Sequence, residues 1–173
     1  YERLLDTELD LRHSVATLPT PAPPAIDLRP PLLHNLPSAL LPIVGREEEL
    51  QQIEDRLLGP ACRLLTLIGI GGIGKTRLAL EAAQRLLHLP GARTLFADGI
   101  YFVRLERISQ GELLPSIIAH TLNFQFHGRS EPSDQLLAYL RNKQLFLVMD
   151  NFEHLVDQSD LVLDILQQAP QVK

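Results

Sequence analysis

Gly69, Ile70, Gly71, Gly72, Ile73, Gly74, Lys75 and Thr76 fit the pattern G-x-x-x-x-G-K-[ST], whose chemistry is to cradle a phosphate chain. A helix beginning near Lys75 would aim unpaired backbone N–H groups and the positive end of its dipole at a phosphate. Gly69, Gly71, Gly72 and Gly74 permit positive φ and close approach without a Cβ in the way. Lys75 would reach the β- and γ-phosphates, and the Thr76 hydroxyl would ligate Mg²⁺. Farther along, Leu145-Phe146-Leu147-Val148-Met149 runs apolar into Asp150. A carboxylate at the end of a buried strand is placed to hold Mg²⁺ opposite the loop's hydroxyl, and it could equally cap the helix that follows.

The elements around these residues support that chemistry. Arg63-Leu64-Leu65-Thr66-Leu67-Ile68 has the length and composition of a strand, and Arg77 to Leu87 is rich in helix formers, giving strand, loop and helix in order. Upstream, Leu50, Ile53, Leu57 and Leu58 share one helical face over 47–58, ended by Gly59-Pro60. Ile100 to Leu105 reads as a second strand, 112–122 and 133–142 as helices, 145–149 as a third strand, and a last helix carries Leu161, Val162, Ile165, Leu166 and Ala169. Alternating strands and helices predict an α/β fold, a parallel sheet flanked by helices. The continuous apolar run of 145–149 predicts burial on both faces.

Before this globular part, residues 1–18 read as one amphipathic helix, the tail of an upstream domain. Eight of the thirteen prolines fall within 19–42, which predicts an extended, semi-rigid linker with no core of its own. The nucleotide-binding domain is expected over 43–173. The first residue is Tyr and the only methionine is Met149, so the chain is expected to be a piece of something longer.

Composition narrows the function classes. A net charge of -5 with interspersed signs offers no basic face for a polyanion, which argues against nucleic-acid binding by this segment. The single Cys62 excludes an internal disulfide and a cysteine-rich zinc site. No apolar stretch has the length to span a bilayer and the start does not resemble a signal peptide, so a soluble, cytoplasmic chain is expected. Guanine recognition is unsupported, because Asn142-Lys143-Gln144 is followed by Leu145 where an Asp would read the base. No ABC-transporter signature and no protein-kinase catalytic loop is present. Asn151 stands where efficient hydrolases place a second acid, which predicts slow hydrolysis. Glu153 is the nearest remaining carboxylate; it could polarise water or simply begin a helix.

Val44-Gly45-Arg46-Glu47, the run from Arg63 through Gly69 to Ala79, Asp98 to Val103, and Leu147-Val148-Met149-Asp150-Asn151-Phe152-Glu153-His154-Leu155 together resemble the NB-ARC-type ATPases of the STAND class. The likeness is nearest to the ATPase module of large bacterial transcriptional regulators and covers about residues 43 to 173. It implies a P-loop NTPase fold and a regulatory switch binding ATP or ADP with Mg²⁺. ADP would hold a closed form, and ATP would release a form that homo-oligomerises or frees an effector domain. Sensor and effector domains would lie outside this chain. Lys75, Asp150 and Glu153 would serve whatever hydrolysis occurs; Thr76 and Asp150 would hold the metal. Residues 69–77 would contact phosphates, including Ile70, Ile73 and the Arg77 N–H, while Val44, Gly45 and Arg46 would line the adenine side. From the residues alone, Gly45-Arg46 is equally a turn opening a helix.

The chain departs from plant-type members at Arg77, where they carry a second hydroxyl, and at Asn151, where they carry a second Asp. In the family a strand after Asp150, bearing a sensor Arg, lies between the first and third strands. The winged-helix part whose His contacts the β-phosphate follows later. With the sequence stopping at Lys173, the domain is expected to be C-terminally incomplete, with a gap in its sheet and weak nucleotide binding or poor stability. Two rivals remain: a continuously cycling AAA-like ATPase, and an interaction segment whose remnant loop binds nothing.

Overall fold

A computed structural model describes residues 31–37, 43–106 and 111–173. The expected helix over 1–18 and most of the proline-rich segment lie outside these residues. The architecture comprises helices α1 (Glu47–Leu58), α2 (Lys75–His88), α3 (Ala92–Leu95), α4 (Leu114–Thr121), α5 (Pro132–Leu140) and α6 (Ser159–Gln168), with strands β1 (Gly99–Arg104) and β2 (Leu145–Asp150). The two strands pair in parallel, Gly99 opposite Leu145 through Arg104 opposite Asp150. Parallel pairing requires a crossover, which α4 and α5 supply.

Each face of the sheet is covered, forming three layers. On one face Val103, Leu105, Leu145 and Leu147 pack with Leu114 and Ile118 of α4, Leu136 and Leu140 of α5 and Ile165 of α6. On the other, Ile100, Phe102 and Val148 meet Leu50, Ile53 and Leu57 of α1 and Leu80, Ala83 and Leu86 of α2. Period-two side chains on the strands and helical-period side chains on α1 and α2 thus define the two cores. Three glutamates in the first turn of α1 and Arg56 in its last suit the helix dipole.

Three features depart from expectation. The 63–68 run is not a strand: Leu65 and Leu67 pack against the α1–α2 core while Leu64 and Ile68 stay exposed, and the run joins no ladder. A cavity of about 750 Å³ separates it from β2, lined by Ile53, Leu57, Ala79, Phe146, Val148 and Leu163 among others. Strand formation needs a neighbour within roughly 5 Å, and this segment has the cavity instead. Among the described residues the free edge of β2 is met only at Lys173, whose N–H donates to Leu145 O (3.0 Å) and whose carbonyl accepts from Leu147 N–H (2.8 Å). Second, the compact unit begins at Pro31, not Ile43. Residues 31–37 of the segment expected as a spacer lie along β1, where Ile100 N–H donates to Leu33 O (2.9 Å) and Leu36 is buried.

Third, cations close two helix ends in a way no sequence pattern announced. Arg63 donates to Val172 O (2.9 Å) and Ala169 O (2.8 Å), just past α6. Lys173 Nζ donates to Leu57 O (2.5 Å) and Gly59 O (2.7 Å) at the end of α1. Positive charge at a helix C-terminus is favourable against the negative end of its dipole.

At the same end of the sheet, Asp98 accepts from the Gln144 N–H and from Lys143 Nζ, both at 2.8 Å, tying the start of β1 to the start of β2. Burial pushes the Asp98 carboxyl up, but the Gln144 amide and the Lys143 ammonium outweigh it and hold it below its ordinary value. A carboxyl lowered on folding contributes stability above its unfolded pKa and loses it as pH falls through the folded one. Asp98→Ala is therefore expected to lower stability near neutral pH by about 1 kcal/mol, or roughly 2–4 °C in the melting midpoint. The gap between variant and parent should close in melts recorded at progressively more acid pH.

Candidate functional site

The site is built where α2 begins. Gly74 precedes the helix with φ +94°, and Gly72 has φ +79°, so the chain makes two left-handed residues before Lys75 starts α2. L side chains rarely adopt that conformation. A Cβ built on Gly71, Gly72 or Gly74 meets nothing within 4 Å, which leaves the concave side of the loop open. At Gly69 a Cβ would lie 3.2 Å from Ile73 Cγ2, so the loop's start packs against its own turn. The Ile73 N–H approaches Ile70 O at 3.4 Å, closing that turn. Ile70 itself is exposed.

Lys75 is folded onto the loop, its Nζ donating to Gly69 O (2.9 Å) and Ile70 O (3.3 Å). The ammonium therefore lies within the concavity that the glycines form. Thr76, one residue into α2, donates its hydroxyl to Asp150 Oδ1 at 2.7 Å. Asp150 reaches that point because β2 ends there, and because α2 packs on the face of the sheet that holds Val148. Two residues separated by 74 positions are thus in direct contact.

The remaining candidates divide. Asn151 follows Asp150 with φ +61°, a left-handed conformation that Asn tolerates better than most side chains. It begins a short 3₁₀ stretch, Phe152–Gln158, in which Glu153 is exposed. Asn151 and Glu153 both line the cavity beside β2, as do Gly69, Gly71, Lys75 and Asp150. Arg77 is exposed on the first turn of α2. Val44 is exposed, Gly45 has φ +75° with its N–H 3.4 Å from Glu47 Oε1, and Arg46 pairs with Glu49 at 2.8 Å. These three residues open α1 and do not line that cavity. His154 is exposed, and no group of three or more His, Cys, Asp or Glu side chains able to hold a metal occurs among the described residues.

The donor set fits Mg²⁺. A hydroxyl and a carboxylate in contact are hard oxygen ligands, and this ion takes one or two protein oxygens and completes its shell with phosphate and water. The hydroxyl proton is already given to Asp150, which leaves the Thr76 lone pairs available. Thr76→Val removes the hydroxyl with little change in shape. It should shift stability by no more than about 1–2 kcal/mol while abolishing the Mg²⁺-dependent part of nucleotide binding, read by titration with and without chelator.

The NB-ARC domain family matches residues 46–168. Among curated relatives, a Mycobacterium tuberculosis protein named as an HTH-type transcriptional regulator is 32% identical over 111 residues, covering 64% of this chain and 12% of that protein. A WD repeat-containing protein of Nostoc is 26% identical over 125 residues, covering 67% of this chain and 10% of its own length. A nucleotide-binding leucine-rich repeat (NLR)-like protein of Hyaloscypha variabilis is 45% identical over 47 residues, 25% of this chain and 5% of that protein. The chain thus spans about one-eighth or less of each of these relatives. No solved structure gives a significant match. Among the described residues no helix is long and apolar enough to cross a membrane. The glycine cradle, the Thr76–Asp150 contact and the match over most of the chain lead to one conclusion: the chain belongs to the NB-ARC domain family, the STAND-class group of P-loop NTPase modules.

Proposed function

We propose that this chain is the nucleotide-holding part of a regulatory switch that binds ADP or ATP with Mg²⁺. The observation that carries the reading is the contact of Thr76 with Asp150 beside an open glycine cradle. Backbone N–H groups at the start of α2 face the phosphates, and Lys75 leaves the Gly69 and Ile70 carbonyls for the β- and γ-phosphate oxygens, exchanging neutral acceptors for charged ones. Thr76 and Asp150 hold the metal, which supplies charge neutralisation across the phosphates. Exposed Val44, with Gly45 and Arg46 beside it, offers an apolar contact and a flexible turn to the adenine side.

Hydrolysis is slow in this reading. Asn151 stands where a second carboxylate would orient water, and it cannot act as a base. Glu153 lies one short turn farther and is the acid that would polarise water when it does react. A cycle with slow chemistry and retained product suits a switch whose state is set by nucleotide exchange. The names of the regulator and NLR-like relatives favour the same role, with sensor and effector parts outside this chain and homo-oligomers forming in the ATP state.

Binding of a fluorescent adenine nucleotide tests the proposal. The native chain should bind in the presence of Mg²⁺, and Lys75→Ala should weaken binding by about 2 kcal/mol, roughly thirtyfold. Equal affinity in the two would mark the loop as a remnant. Sustained turnover near or above about 1 per second would instead favour a cycling ATPase, whereas slow turnover with ADP retained through gel filtration is the expected result.

A further inference from the structure

The outer edge of β1 is occupied by a segment that the family match does not include. An edge strand presents a row of unpaired N–H and C=O groups, and something must satisfy or block them. Here the Ile100 N–H donates to Leu33 O at 2.9 Å, and His34 forms a parallel bridge with Ile100. Two residues on, no backbone takes the next position. The Asn35 side chain takes it: Oδ1 accepts from the Phe102 N–H at 2.6 Å and Nδ2 donates to the Phe102 carbonyl at 2.9 Å. A carboxamide can replace a peptide unit in this way because it carries a donor and an acceptor side by side. Aspartate has no donor at neutral pH, and alanine has neither.

Three further features select the same segment. Leu36 is 6% exposed and belongs to the α1–α2 core. Gln84 of α2 donates Nε2 to Pro37 O at 2.8 Å. On the receiving side, Gly99 has φ +119°, and a Cβ there would stand 2.7 Å from Leu33 O, so a glycine is what allows the segment to lie so close. Pro31 and Pro37 bracket the contact and bring no N–H that would need a ladder partner.

The geometry points to a peptide-docking site on the outer edge of β1, selective for an Asn followed by a Leu and occupied by the chain's own residues 33–37. The docked peptide is a latch. It holds residues 33–37 to the sheet edge and to α2, the helix that begins in the phosphate loop. The mode is strand addition, in which backbone bonds supply affinity and side-chain pockets supply selectivity. The assignment does not depend on nucleotide binding.

Amide hydrogen exchange on the full chain tests it. In the native chain the Ile100 and Phe102 amides should be protected. Asn35→Ala should speed Phe102 exchange at least tenfold and leave Val103, which by strand alternation faces β2, within twofold of its native rate. Asn35→Asp, keeping only the acceptor, should fall between the two. A synthetic Pro-Leu-Leu-His-Asn-Leu-Pro peptide added to the Asn35→Ala chain should restore Phe102 protection, and the same peptide with Ala for Asn should not. The proposal is overturned if Phe102 exchanges freely in the native chain, if Asn35→Ala leaves it unchanged, if Val103 accelerates equally, or if the two peptides act alike.

Discussion

The parallel pairing of β1 with β2 is the constraint from which the site follows. Two strands alone make a marginal sheet in water, and this pair persists because apolar side chains project from both faces into separate cores. One core draws in α4, α5 and α6, and the other draws in α1 and α2. Since α2 must cover Ile100, Phe102 and Val148, its first turn is brought beside the carboxyl end of β2. Thr76 then meets Asp150 as a consequence of burial. Burying a fully enclosed leucine or phenylalanine stabilises by about 1.5–3 kcal/mol, far more than one hydroxyl–carboxylate bond contributes net. Packing therefore sets the geometry, and the polar contact reports it.

The sheet's two edges are handled in different ways. The outer edge of β1 is covered by residues 33–35, with an asparagine amide completing the ladder. The other edge, along β2, opens onto a cavity whose far wall is the 64–68 run. Among the described residues only Lys173 bonds there, anchored by its ammonium on the end of α1, while Arg63 closes the end of α6 beside it. Burial lowers the Lys173 pKa, the expected direction for an ammonium taken partly out of water. These two crossed cations hold the end of the described chain against the start of the 63–68 run, at the pole of the sheet opposite Asp150.

Much of the fold was legible because it is local. The four apolar residues of α1, the helix formers after Thr76 and the unbroken apolar run of β2 each specify an element within a dozen residues, and the structure forms all three. The loop's glycines are equally local, since positive φ at Gly72 and Gly74 is a property of the backbone at those positions. The 63–68 run marks the limit of such reasoning. Its composition reads as a strand, but a strand also requires a paired neighbour, and among the described residues none lies beside it. Asn35 was hidden for a related reason: among so many prolines its surroundings read as a spacer, and nothing in residues 31–37 identifies the β1 edge as their target.

The sequence by itself determined the conformations of single segments and the chemical inventory of the site: a loop of glycines, a lysine, a threonine and a carboxylate closing an apolar run. These depend on backbone sterics and side-chain type, which neighbours in sequence control. Tertiary structure decided which of those segments touch. It put Thr76 against Asp150, gave the Phe102 amide to Asn35, placed Arg63 and Lys173 on helix ends and left 64–68 outside the ladder. Such contacts join residues far apart along the chain, so they are settled by how two cores pack around one sheet, a property that no single stretch of sequence carries.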